Sequence, residues 1–83
     1  MQFLNMSEIS KEDFVNQMKD LMVKHKLDWS WNSDLWSLVD GMLFYKEGQE
    51  EPLFEIKGVH SNGDGDRDGF LKILQKSILE FNL

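Results

Sequence analysis

The stretch from Trp36 to His60, WSLVDGMLFYKEGQEEPLFEIKGVH, decides the fold. Its first half is rich in aliphatic and aromatic residues, a polar turn containing glycine follows, and Phe54 and Ile56 then alternate with charged side chains. Such alternation is typical of a strand with one buried face. We therefore predict an antiparallel hairpin, with a first strand over 36–46 and a second strand ending near residue 60.

An alternative remains open for part of this hairpin. Several apolar residues between positions 35 and 43 also fit helical spacing, with Ser33 as a cap. Gly41 is costly inside a helix, and the hairpin partner that follows favours the strand. Just upstream, Trp29 and Trp31 alternate with polar residues, which indicates a further short strand.

Two amphipathic helices are predicted on either side of the hairpin. The first spans about 11–26, with Ser10 as N-cap, and the second spans about 66–81. Their apolar stripes are Phe14, Met18, Leu21, Met22 and His25 in the first, and Phe70, Ile73, Leu74, Ser77, Ile78 and Phe81 in the second. The predicted class is α+β, in the order α-β-β-α with a third strand as an option, and the antiparallel sheet packs against both helices.

Length and composition indicate one small domain over residues 1–83, with a flexible N-terminus over 1–8. The chain has no cysteine, so a disulfide framework and a thiolate zinc site are excluded, as fits the cytoplasm. Its start lacks the features of a secretory signal, and no apolar run approaches the ~20 residues that span a bilayer. A formal net charge of −6 disfavours direct binding to nucleic acid or anionic membranes.

The acidic residues are concentrated. Seven of the fifteen lie between Glu47 and Asp68, against the two bases Lys57 and Arg67, which gives this segment a charge of −5. Concentrated charge either forms solvated turns or docks on a basic partner. The candidate acidic binding residues are Glu47, Glu50, Glu51, Glu55, Asp64, Asp66 and Asp68. Trp29 and Trp31 join them as candidates, because tryptophan is enriched at the centres of interfaces as well as in cores.

The run from Asp64 to Gly69, DGDRDG, resembles the front half of an EF-hand calcium loop. Carboxylates at loop positions 1, 3 and 5 and glycine at position 6 match that pattern. Position 12 is Gln75, however, where the family has a bidentate glutamate, and Arg67 places a cation within the loop. The resemblance implies a calcium site at Asp64, Asp66 and Asp68, whereas the alternative is a turn in which Asp66 or Asp68 caps the second helix.

No catalytic or cofactor motif stands out, so we predict a protein that is not an enzyme and needs no cofactor. The favoured hypothesis is a small acidic module that binds a basic, nucleic-acid-binding type of surface on a larger partner and inhibits or modulates it. In size and charge the chain is similar to phage-encoded inhibitors, such as anti-CRISPR and anti-restriction proteins, some of which imitate nucleic acid. The alternatives are a calcium-responsive module and a structural homo-oligomer.

Overall fold

A computed structural model of the chain describes residues 8–33 and 40–83. The elements are α1 (Lys11–His25), β1 (Leu27–Ser33), β2 (Asp40–Lys46), β3 (Phe54–Lys57) and α2 (Arg67–Glu80). The strands form one antiparallel sheet in the order β1-β2-β3. The α+β prediction is confirmed, and the optional third strand is present.

Local interactions explain where both helices begin. The Ser10 Oγ accepts a hydrogen bond from the Asp13 N–H at 3.1 Å and caps α1. The Asp66 carboxylate accepts from the Gly69 N–H at 3.0 Å and caps α2. After α1, Lys26 takes a left-handed conformation with φ 54°, which ends the helix and turns the chain directly into β1.

Strand boundaries differ from the predicted ones. β1 covers seven residues, where only the short Trp29–Trp31 alternation was recognised. β2 is a strand from Asp40, while positions 36–39 of the predicted first strand lie outside the described residues, as do 1–7 of the expected flexible N-terminus. β3 stops at Lys57, earlier than predicted. Beyond it, Val59 forms an isolated bridge with Gly65, outside the three-stranded sheet.

One face of the sheet carries the core. The register places Trp29 opposite Phe44 and Trp31 opposite Met42, and Ile56 pairs with Met42 from the other side. These side chains share a face because directly opposed residues of antiparallel strands point the same way. The buried core residues are Phe14, Met18, Met22, Leu27, Met42, Phe44, Ile56, Val59, Phe70, Leu71, Leu74 and Ile78. Leu21 and Phe54, also predicted in the core, are partly buried against it.

The prediction for α2 was wrong at two positions. Ile73 and Phe81 were assigned to its buried face, but they are 48% and 47% exposed, and Leu71 is buried instead. The reason is the position of α1: Leu71 and the α1 residue Gln17 line the same depression, so the buried face of α2 is rotated toward α1. Helical spacing alone does not show on which side the neighbouring helix lies.

The opposite face of the sheet carries mainly polar side chains around Leu43 and Tyr45, and neither helix covers it in the described part of the chain. The Asn32 Nδ2 donates to the Glu55 Oε2 at 3.1 Å, so a bond runs from β1 to β3 across the central strand. A Cβ at Gly41 of β2 would collide with the Glu55 carboxylate. Gly41 thus leaves the space through which Glu55 reaches β1.

Candidate protein-binding surface

The structure separates the acidic candidates into two groups. Glu47, Glu50 and Glu51, here called the turn acids, lie in the β2–β3 turn. Asp64, Asp66 and Asp68, the loop acids, lie around the start of α2. The rings of Phe54 and Phe81, 5.4 Å apart, bring the start of β3 to the far end of α2. A helix of this length spans about 20 Å, so the two groups lie at opposite ends of the molecule.

The loop acids are held by partners within the chain. Asp64 Oδ1 lies 2.7 Å from the Lys11 Nζ. The Lys11 ammonium, by hydrogen bond and by charge, holds the pKa of the Asp64 carboxyl below its ordinary value of 3.8. Asp66 caps α2, and Asp68 Oδ2 accepts from the Glu8 N–H at 2.8 Å.

This arrangement bears on the EF-hand resemblance. Each of the three aspartates has its own partner, and the described residues include no group of three His, Cys, Asp or Glu placed to hold a metal ion. Arg67, in the same loop, donates from Nε to the Ile9 carbonyl and from Nη1 to the Gly63 carbonyl, both at 2.9 Å. The segment therefore connects the start of α1 to the start of α2.

The side chains of the turn acids, in contrast, are exposed and form no hydrogen bond or ion pair with any described residue. The backbone beneath them is fixed. The Gln49 N–H donates to the Lys46 carbonyl at 2.9 Å, and the Glu47 N–H donates to the Lys26 carbonyl at 3.0 Å. An anchored turn with unpaired carboxylates is available to a basic partner.

Trp29 and Trp31 lie on the core-facing side of β1, and Trp29 is the one nearer the turn acids. Their rings pack edge to face, with centroids 6.1 Å apart and an interplanar angle of 77°. Trp31 is partly buried against the core, whereas Trp29 remains 46% exposed. β1 is an edge strand of the described sheet, and residues of α1 and of the loop 61–63 flank these rings, which leaves Trp29 half exposed.

An apolar depression of about 220 Å³, here called the Trp groove, runs between α1 and β1. Its apolar lining is formed by Phe14, Val15, Met18, Met22, Trp29 and Trp31. Trp29 also lines a second depression that reaches Val23, Asp28 and the turn acid Glu47. Trp29 and the turn acid Glu47 are therefore neighbours on one continuous surface.

Sequence reasoning missed part of this surface. Asp28 was not among the candidates, and neither was Val23, which is 79% exposed. A signal was present: Val23 is an apolar residue that falls outside the predicted stripe of α1. Glu55, which was a candidate, instead accepts a hydrogen bond from Asn32 on the face of the sheet that neither helix covers among the described residues.

Comparisons with protein-family models, with curated proteins and with solved structures found no match for this chain. Its function must therefore be argued from its own residues. In the described ranges 8–33 and 40–83, neither helix has the length and apolar character needed to cross a membrane.

Proposed function

We propose that this chain is a protein-binding module that docks on a basic surface of a larger partner and inhibits or modulates that partner. One observation carries the proposal: the turn acids are exposed and unpaired among the described residues, and one of them, Glu47, adjoins the half-exposed Trp29. A large aromatic ring surrounded by charge is typical of an interface, since the ring supplies affinity and the charges guide the encounter.

The loop acids contribute less to this proposal, because each already serves the fold. A continuous row of carboxylates that imitates nucleic acid is not required, since the two acidic groups lie at opposite ends. A basic partner remains favoured, because the net charge of −6 attracts it over long distances. The absence of cysteine fits a cytoplasmic setting for this encounter.

The test is a triple charge reversal, with Glu47, Glu50 and Glu51 each changed to Lys. Three reversals add two charges each, so the net charge rises from −6 to 0. Folding should be nearly unchanged, since exposed turn charges contribute little to stability. The measurement is capture of a partner from lysate of the producing cells, identification by mass spectrometry, and then binding kinetics and activity assays with the purified partner.

We expect the parent to retain a partner with a basic surface, to alter that partner's activity, and to bind more weakly as salt rises. The triple variant should associate more slowly. The matched control changes Glu12, Asp20 and Glu80 to Lys, three exposed acids outside the turn that give the same net charge. Equal losses in both triple variants would show that only net charge matters. Unchanged association of the turn variant would end the proposal.

A further inference from the structure

Among the described residues, β1 is an edge strand of the sheet. All seven of its residues pair with β2 in one unbroken register, and its other side borders no described strand. Natural proteins usually shield such edges with proline, bulges, charge or short length. β1 has no proline and no bulge, and Asp28 is its one charged residue. An edge of this kind is a template for a further strand.

The backbone groups that face outward can be assigned from the hydrogen bonds. The Glu47 N–H donates to the Lys26 carbonyl at 3.0 Å, one step beyond the first pair of the register. Along antiparallel strands, hydrogen-bonded pairs alternate with pairs that are not hydrogen-bonded. Because Lys26 and Glu47 form a hydrogen-bonded pair, the even-numbered residues of β1 are the ones that bond to β2. The N–H and C=O groups of Trp29 and Trp31 therefore point away from the sheet, where no described residue pairs with them.

The Trp groove lies beside these two residues, on the side of β1 that faces α1. Its volume of about 220 Å³ is below the range of roughly 300–1,000 Å³ for small-molecule pockets. One or two apolar side chains fit such a space better than a ligand does. Because side chains of a strand alternate between faces, every second side chain of an added strand would point toward the groove.

Charge favours an occupant whose basic side chains point away from the groove, because Lys11 and Lys19 are among the residues that line the groove. A second copy of the chain would bring another net charge of −6 to the same edge, and nucleic acid would meet the same repulsion. The side chains of an added strand that do not point toward the groove would lie on the other face of the sheet, away from the core. On that face β1 carries Asp28. The turn acids follow at the same end. Lysine or arginine at these positions of the added strand would complement that charge.

From these four observations we infer that the free edge of β1 takes up an extended segment of the partner in which apolar and basic residues alternate. Backbone groups of Trp29 and Trp31 bond to the segment, its apolar side chains enter the Trp groove, and its basic side chains meet Asp28 and the turn acids. This inference rests on the proposed protein-binding function and specifies the form of the partner.

The probe is a displayed library of random nine-residue peptides, selected on the full chain. We expect enrichment of sequences in which apolar residues alternate with Lys or Arg. The best peptide is then synthesised in two forms, methylated either on its odd-numbered or on its even-numbered backbone nitrogens. In an added strand only one of these sets faces β1, so each form is the matched control for the other.

One methylated form should lose affinity about tenfold or more, because several net hydrogen bonds are removed, and the other should bind like the parent peptide. Amide exchange followed by NMR should slow at Trp29 and Trp31 when the peptide binds. Equal affinity of the two forms, unprotected Trp29 and Trp31 amides, or no enrichment would overturn strand addition. The proposed function fails separately, if the turn-acid reversal leaves partner capture and its kinetics unchanged.

Discussion

At the scale of single residues, the same side-chain type has different tasks in this chain. Asp64 pairs with Lys11 and Asp66 caps α2, whereas Glu50, in the turn, is exposed and forms no hydrogen bond or ion pair with a described residue. The sequence shows all of these as members of one acidic segment. Their separation into structural and available groups depends on which elements meet in space, which residue spacing does not reveal.

The Lys11–Asp64 pair makes a pH prediction. The folded state lowers the pKa of Asp64, so its contribution to stability is present above the ordinary value of 3.8 and is lost as the pH falls through the lowered value. Lys11→Met should raise the pKa of Asp64 toward that ordinary value. The measurement is an NMR titration of the Asp64 carboxyl carbon.

Lys19→Met is the matched control, since Lys19 lies on the same helix and makes no ion pair with a described residue. In urea unfolding at several pH values, Asp64→Asn should lose less stability than the parent on acidification below about pH 4. An unchanged titration of Asp64 in Lys11→Met would contradict the assignment of Lys11 as its main partner.

At the scale of elements, the sequence predicted both helices to within one residue at each end. Hydrophobic periodicity indicated the helices, and the capping residues indicated where they start. The predicted second helix began at Asp66, which is its N-cap. Periodicity did not predict the rotation of α2, since the exposure of Ile73 depends on the position of α1. The full length of β1 was also missed, because Leu27 and Asp28 look like a linker after the first helix.

The buried face of α2 gives a stability prediction. Leu74 is fully buried, so Leu74→Ala should reduce the free energy of unfolding by about 2–5 kcal/mol through lost burial and a cavity. Ile73→Ala, one position away and half exposed, should change it by less than about 1 kcal/mol. Urea denaturation of both variants is the measurement. Equal losses would mean that the face of α2 is wrongly assigned.

At the scale of the whole molecule, the two proposed binding determinants, the turn acids and Trp29, lie side by side. The acidic concentration was visible in the sequence, and so was the excess of tryptophan. Their proximity was not, because it arises when the Glu47 N–H bonds to the Lys26 carbonyl and brings the turn beside the start of β1. Bonds of this kind between distant segments leave no local pattern in a sequence.

These two determinants predict different kinetic effects on the same complex. Trp29→Ala should mainly speed dissociation from the captured partner, by about 30-fold if the ring contributes 2 kcal/mol as a central contact. Reversal of the turn acids should mainly slow association. Surface plasmon resonance measures both rates. Ile73→Ala is the matched control, because Ile73 on α2 is exposed to nearly the same extent as Trp29.

Dissociation that is unchanged in Trp29→Ala would place the centre of the interface elsewhere. If the complex of Ile73→Ala dissociates as fast as that of Trp29→Ala, the faster dissociation results from the loss of any exposed apolar side chain and is not specific to Trp29.

Gly41, near the start of β2, also constrains how this protein can change over evolutionary time. Because Glu55 occupies the space above Gly41, a larger residue at position 41 meets the carboxylate as long as Glu55 is present. The two positions are therefore coupled: a side chain at 41 displaces the Glu55 carboxylate and breaks its bond to Asn32, unless residue 55 is already shorter. Lineages that keep the Asn32–Glu55 bond should keep glycine at 41, whereas lineages that lose this bond are free to change position 41.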